Sequence, residues 1–514
     1  MPSFPTFNKQ FLLISLALVA LAAGALALYA TAQGPVGFSD SAAYLSAGRN
    51  WARGDGLGLF QASGDFEPLS VHPPLYPALF SLLHLLGIDL VAGGRGLAVA
   101  APALAPLALG LIFVRHSRSP WLGLPVAAIY ALFPPILYIN AALLTDGLFL
   151  AVLLWGLLAL LEYRQTHSRA WAATAILLFG ALPLIRFIGA AFIGAAALIL
   201  LLWERGDLRS RLQRAFLFTA LMALPYALWQ LWSFFNLDAT LAGRQANLSP
   251  NDIWRALGEL VGKADGILAA WLPLSTAIVV GMMLLLLGLA LRKRAPEQPD
   301  QVLLGSFALL GLAFLGGVTA AYLFTRPTPD IIERTLLPLF VCLLGLLAAA
   351  AAWWAERAPR TANWLALLAG AAILLALVRP ARVQLAPLHR GQVGYFTDAW
   401  RHSKLLADLR DLPAGTAIIA SDPSITLYWV DRPAFDFFHA LRDEFIPDGE
   451  IYGSDAVDDA QVAFSQGDAV LVLFEDYPHG LAERLAANGT LANARLLADY
   501  PQGQLYIPIQ EATP

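Results

Sequence analysis

Apolar segments about 20 residues long recur along this chain, and they constrain its fold more than any other feature. A helix rises ~1.5 Å per residue, so about 20 residues cross the ~30 Å hydrocarbon core of a bilayer. Segments of this kind fall at 11–30, 91–114, 120–139, 142–162, 170–185, 187–203, 213–235, 269–291, 301–324, 335–354 and 362–379. Of the 514 residues, 58% are apolar and only 14% charged, with a net charge of −4. A soluble domain has about 45–50% and about 25%. These values exclude a disordered chain, a nucleic-acid binder and an ordinary soluble enzyme. The single cysteine, Cys342, cannot form an internal disulfide and leaves no cysteine-based zinc site.

The first segment ends in Ala30-Thr31-Ala32, which resembles a signal-peptide cleavage site. Signal cores run only about 7–15 residues, so an uncleaved first helix is expected. The links 115–118, 164–169, 205–214, 292–294 and 357–360 are rich in arginine. The positive-inside rule assigns them to the cytoplasmic side. With Lys9 also inside, the alternation closes as eleven spans, amino terminus in and carboxyl terminus out. The apolar run from His72 to Gly87 must then not cross, and a dipping or surface-lying helix is expected there.

Composition changes near Arg379-Pro380, after which charges return. Thr416–Ala420 and Ala469–Phe474 read as short buried strands, and Ala399–Leu412 has apolar residues at helical spacing. The expected architecture is a polytopic all-α membrane domain over 1–380, with an outer loop at 31–90, and an extracytoplasmic α/β domain over 381–514 with a largely parallel sheet.

The informative residues lie at the outer ends of the spans. Asp40, Tyr44, Arg49, Arg53, Asp55, Asp65 and Glu67 fall in the first outer loop, which ends in His72-Pro73-Pro74-Leu75-Tyr76-Pro77. Asp146 opens the fourth span, Arg186 lies at the turn between the fifth and sixth, and Arg326, Asp330, Glu333 and Arg334 precede the tenth. Ionisable groups near hydrocarbon are costly, so each is a functional candidate. Each also has a structural explanation. Ser39 and Asp40 suit the cap of a helix from Ser41 to Arg53 ended by Gly54. His72-Pro-Pro suits a helix start, Asp146 suits a cap with Thr145, and Arg186 suits snorkelling. Glu333-Arg334 suits a structural ion pair, and Tyr44 and Tyr76 suit interfacial aromatics. Asp422, Asp431, Asp436 and Asp476 read as solvated loop carboxylates.

Asp40–Tyr44 shortly after the first span, the His72–Pro77 motif and Glu333-Arg334-Thr335-Leu336-Leu337-Pro338 opening a late span together resemble the GT-C glycosyltransferases. Within these the chain is similar to the bacterial branch of protein O-mannosyltransferase-, aminoarabinose transferase- and rhizobial lipopolysaccharide-sugar transferase-like proteins. The resemblance implies a multi-pass protein of the bacterial plasma (inner) membrane. It implies inverting transfer of a sugar from a polyprenyl-phosphate donor, on the outer face, to a glycan, lipid or protein acceptor. It also implies an acidic base in the first outer loop, matched by Asp40. Relatives often carry Asp-Glu there, where this chain has Ser41, and a tyrosine where it has Thr335; the aminoarabinose transferases carry a lysine where it has His72. No metal ligand is assigned, and a divalent metal is left open as a cofactor.

The implied chemistry is coherent. One carboxylate within about 2.6–3.2 Å of the acceptor hydroxyl suffices as base. The leaving phosphate is already a stable anion and needs no paired acid, unlike the leaving group of glycoside hydrolases. It does need cations, best arginine. Arg186, Arg326 and Arg334, helped by His72, are the expected phosphate ligands. Tyr44 and Tyr76 are candidates for the sugar pocket, and Glu67, Asp146 and Glu333 for support. A transporter or lipid-linked glycan flippase, a surface-polysaccharide polymerase or ligase, and a catalytically silent scaffold are the competing classes.

Overall fold

The computed structural model describes residues 8–62, 64–69, 72–236, 245–246, 250–271, 275–292, 298–326, 332–355, 360–437, 462–464, 466–475, 481–487, 491 and 494–509. Asp330 and Asp476 lie outside the described residues. The helices in chain order are α1 (Lys9–Ala30), α2 (Ser39–Arg53), α3 (Leu75–Leu85), α4 (Leu90–His116), α5 (Gly123–Leu132), α6 (Pro134–Asn140), α7 (Thr145–Thr166), α8 (Arg169–Ile185), α9 (Gly189–Trp203), α10 (Leu208–Asn236), α11 (Pro250–Trp271), α12 (Thr276–Arg292), α13 (Pro299–Phe324), α14 (Leu337–Ala355) and α15 (Arg360–His389). The chain forms two compact units. The first comprises Met1–Ala30, Ser70–Tyr76 and Gly96–Ala386, and the second Thr31–Leu69, Pro77–Arg95 and Pro387–Pro514.

The first unit is helical, and its long apolar helices make this a multi-pass membrane protein. Among the described residues, seven helices are long and apolar enough to cross a bilayer. Two bent pairs, α5 with α6 at 64° and α11 with α12 at 81°, raise the number to nine. The expected eleven includes α8 and α9, which have 17 and 15 residues. At ~1.5 Å per residue they reach ~25 and ~23 Å, shorter than the seven because the chain breaks at Arg186. Sequence reasoning also missed α11, whose apolar positions are interleaved with charges. The run after His72 forms the 11-residue α3, too short to cross, as expected.

Helix packing in this unit is dense. Helix α7 packs on α8, and α13 on α9, α12 and α14. Phe149 meets Phe192 at 5.8 Å and Phe192 meets Phe314 at 6.3 Å, while Phe113 stacks on Phe307 at 6.0 Å. Three of the arginine-rich links, at 115–118, 164–169 and 205–214, meet at one end. Arg115 pairs with Glu162 at 2.7 Å, Arg214 with Glu204 at 2.7 Å, and Arg164 donates to the Trp203 carbonyl at 2.6 Å. There Asp300 also accepts from Ser117 Oγ at 2.6 Å. The ends of α4, α7 and α9 and the starts of α10 and α13 therefore gather together, as an alternating bundle requires.

The second unit contains a five-stranded sheet built from β5 (Ala417–Ala420), β6 (Phe435–Asp436), β7 (Ala469–Phe474), β8 (Ala494–Tyr500) and β9 (Gly503–Pro508), in the order β6-β5-β7-β9-β8. The short strands β1 (Gly58–Phe60) and β2 (Phe66–Pro68) pair in this unit, and β3 (Gln245–Ala246) and β4 (Thr325–Arg326) in the first. Helices α16 (Asp398–Arg401) and α17 (Lys404–Arg410) replace the single helix expected over 399–412. The sheet is mixed rather than largely parallel. Strands β6, β5 and β7 run parallel, but β9 is antiparallel to both β7 and β8. The reason is a tight β8–β9 hairpin through Pro501-Gln502, ending at Gly503 with φ +150. A Cβ at Gly503 would lie 2.4 Å from the Leu473 carbonyl oxygen, so only glycine lets β9 reach β7.

Helix α2 belongs to this second unit. Ser41 Oγ accepts from the Phe38 N–H at 3.1 Å. The cap is thus made by Ser41 rather than Ser39 or Asp40, which are the first two helical residues. Gly54, at φ +93, ends the helix as expected.

Candidate active site

Two groups of charged residues stand out, one in each unit. In the first, Asp146 is the second residue of α7. A carboxylate there favours the helix dipole. It does not cap the helix with Thr145: the N-cap position is Leu144. Asp146 is buried and forms an ion pair with Arg186. Its second oxygen, Oδ2, is buried with no hydrogen-bond partner among the described residues. Arg186 occupies the break between α8 and α9, where its backbone is extended and its N–H bonds to the Leu182 carbonyl. The break depends on Gly189. A Cβ there would lie 2.3 Å from the Leu182 carbonyl carbon, so a larger residue would push α9 off the end of α8. Arg186 is therefore anchored to Asp146 rather than simply snorkelling. A guanidinium has five donors, and the partly exposed Arg186 retains more than the one spent on Asp146.

Tyr76, in the first turn of α3, is fully buried. Burial, then the nearby Asp146 charge, pushes its phenol above the usual tyrosine range. It is an interior residue, not the interfacial aromatic of the alternative reading. Sequence reasoning missed Asn140. This buried amide ends α6, and a Cβ at Gly147, next to Asp146, would come within 2.6 Å of its Oδ1. A polar residue at the edge of an apolar segment and a glycine one turn into the next were the available signals.

Among the other expected phosphate ligands, His72 is half-buried just ahead of Pro73-Pro74. Arg334 is half-buried and Glu333 exposed on the 3-10 turn Glu333–Leu336 that leads into α14. Arg326 ends β4, opposite Gln245.

In the second unit, Asp40 is half-buried in the first turn of α2. Tyr44, one turn on, is buried in the interior, again not an interfacial aromatic. Glu67 is exposed on β2 and accepts from Gln61 Nε2 at 2.5 Å, so it braces the β1–β2 ladder. The helix is tied down further along. Arg49 Nη2 lies 2.6 Å from Asp431 Oδ1, and Arg53 Nη1 lies 3.0 Å from Asp431 Oδ2. Burial lowers the Arg49 pKa, and Asp431 opposes that shift. Asp431 is thus an ion-pair partner, not a freely solvated carboxylate. Asp422 is not one either: it caps the turn Pro423–Ile425, accepting from the Ser424 N–H at 2.9 Å, and burial raises its pKa. Among the described residues, no group of three His, Cys, Asp or Glu is arranged to hold a metal ion.

No family model matches the chain, and no curated protein matches it in sequence. Solved structures do match it in shape. ArnT from Cupriavidus metallidurans, bound to undecaprenyl phosphate, superposes with a TM-score of 0.53 at 14% identity, covering 96% of this chain and 98% of ArnT. The fold is that of the GT-C glycosyltransferases. The arabinofuranosyltransferase AftD from Mycobacteria gives a TM-score of 0.52 at 16% identity, over 99% of this chain and 40% of AftD. The GT-C resemblance read from Asp40, His72 and Glu333-Arg334 thus corresponds to a GT-C fold that spans nearly the whole chain.

Proposed function

We propose that the protein is a membrane glycosyltransferase that moves a sugar from a polyprenyl-phosphate carrier to an acceptor hydroxyl on the outer face of the bacterial plasma membrane. The observation that carries this reading is Arg186, held by a buried carboxylate with donors to spare, in a chain with the fold of undecaprenyl-phosphate-bound ArnT. An anchored arginine fork suits a phosphate oxygen better than a mobile ammonium does. In the proposed reaction the acceptor oxygen attacks the anomeric carbon as Asp40 takes its proton. The bond from that carbon to the phosphate oxygen breaks, the configuration inverts, and the carrier leaves as its phosphate. Arg186, Arg326 and Arg334, with His72, bind the departing anion. The amino terminus is cytoplasmic and residues 381–514 are extracytoplasmic in this reading. Glycan, lipid and protein hydroxyls meet its chemical demand equally.

The bent pairs α5–α6 and α11–α12 favour one competing reading, since transporters use broken helices. A flippase moves the lipid-linked sugar intact, whereas a transferase releases the free carrier phosphate. Reconstituted protein with a radiolabelled polyprenyl-phosphate sugar separates the two. Loss of Arg186 in Arg186→Gln weakens donor binding at least ~10-fold if the arginine fork contributes ~1.5–3 kcal/mol to a charged contact. Unchanged donor affinity removes Arg186 from the phosphate site.

A further inference from the structure

We propose that Arg49 is a positioning residue: by fastening α2 to the segment 427–431, it sets the place of Asp40 at the start of the same helix. This rests on the base role proposed above for Asp40. Besides its contact with Asp431, Arg49 donates from Nη2 to the Leu427 carbonyl at 3.2 Å and from Nη1 to the Tyr428 carbonyl at 3.4 Å. Its guanidinium carbon lies 5.8 Å from the Tyr428 ring centroid. A planar fork that meets a carboxylate, two carbonyls and a ring fixes direction as well as distance.

The receiving segment is shaped for this contact. Residues Thr426–Val430 form one π turn, closed by the N–H of Asp431 onto the Thr426 carbonyl, with Asp431 itself in the left-handed region at φ +59. Late carbonyls of a helical turn lack partners within it, and those of Leu427 and Tyr428 find theirs in Arg49. On α2, the neighbouring Gly48 packs against α3. A Cβ there would lie 2.6 Å from Phe80 Cβ and 2.8 Å from the Pro77 carbonyl oxygen. Adjacent residues thus fix α2 against two different elements.

Stability alone does not account for this arrangement, because Asp431 is half-exposed and such pairs add at most about 1 kcal/mol. Placement does. Asp40 lies nine residues from Arg49, ~13 Å along the helix, so a tilt of ~5° displaces it by ~1 Å. A misplacement of ~1 Å can cost ~100-fold in rate.

The test uses the full chain in lipid nanodiscs with a labelled polyprenyl-phosphate sugar, measuring donor binding, single-turnover transfer from bound donor and thermal unfolding. Arg49→Met and Asp431→Asn are expected to slow single turnover ~10–100-fold with donor affinity held within ~2-fold. The double variant should be no slower than Arg49→Met, and Asp431→Glu should recover to within ~3-fold of the parent. Wild-type single turnover in Arg49→Met overturns the proposal, as does a loss matched by equal loss of folded protein or donor binding. Asp40→Asn serves as the control. If it transfers normally, the base role itself fails; if it is inactive while Arg49→Met is normal, only the positioning role fails.

Discussion

Two arginine–carboxylate pairs occupy opposite kinds of surroundings. In the helical unit, the Asp146 side chain is 4% exposed and that of Arg186 23%. In the other unit, Arg49 is 13% exposed and Asp431 47%. The first pair sits among apolar helices, where a lone charge is costly and its partner is obligatory. The second is bathed on the carboxylate side by water, which screens it. The same chemistry therefore serves two ends: holding a cation ready in an apolar setting, and setting the direction of a helix at modest energetic gain.

Removing one member of each pair sharpens this contrast most. Asp146→Ala is expected to destabilise the protein by about 3–5 kcal/mol, because it strands Arg186 among apolar helices. Converting both to leucine should restore most of that loss, while donor binding stays at least ~10-fold weaker than in the parent. Denaturant titration in detergent, with donor binding alongside, checks both outcomes. A double-leucine protein that binds donor normally would break the comparison. Next in size, Gly189→Ala should cost about 1–3 kcal/mol, since its Cβ collides with the end of α8 that positions Arg186. Asp431→Asn should shift stability by less than about 1 kcal/mol in the same titration. A larger loss would mean that the Arg49 pair is a structural fastener like the buried one. The smallest effect concerns Tyr500, which donates to Asp408. Burial and Asp408 push its phenol up to about 12. The folded state favours the neutral phenol, so this contribution is complete below pH 10 and fades as pH rises from about 10 to about 12. The stability difference between the parent and Tyr500→Phe should shrink over that window in thermal unfolding at stepped pH.

Much of the helical unit was legible because one physical demand, covering ~30 Å of hydrocarbon, leaves a plain mark in sequence. Arginine links then told which helix ends gather, and Arg115, Arg164 and Arg214 do gather with their carboxylates. The break at Arg186 was legible as well, since the expected segments 170–185 and 187–203 are α8 and α9, but α11 was missed because its charges hide its apolar face. The β8–β9 hairpin was hidden because Gly503 acts through a tertiary approach to Leu473 that no local pattern records. In the candidate site, Asp146 and Arg186 were each visible as costly charges near lipid. Their pairing was not, since 40 residues separate them. Arg49 was visible as a charge of the first outer loop and Asp431 as a solvated carboxylate, but their pairing across 382 positions was not. Asn140 lies just past the expected segment 120–139 and was not singled out.

The central claim is sugar transfer with Asp40 as base. It is tested most directly by Asp40→Asn in reconstituted protein supplied with a labelled polyprenyl-phosphate sugar and an acceptor-containing membrane extract. The account predicts that the parent releases carrier phosphate and labels an acceptor with inverted configuration. It predicts that Asp40→Asn binds donor normally but transfers about 100- to 10,000-fold more slowly. Transfer by Asp40→Asn at the parent rate, or a parent protein that leaves the donor bond intact, would contradict it.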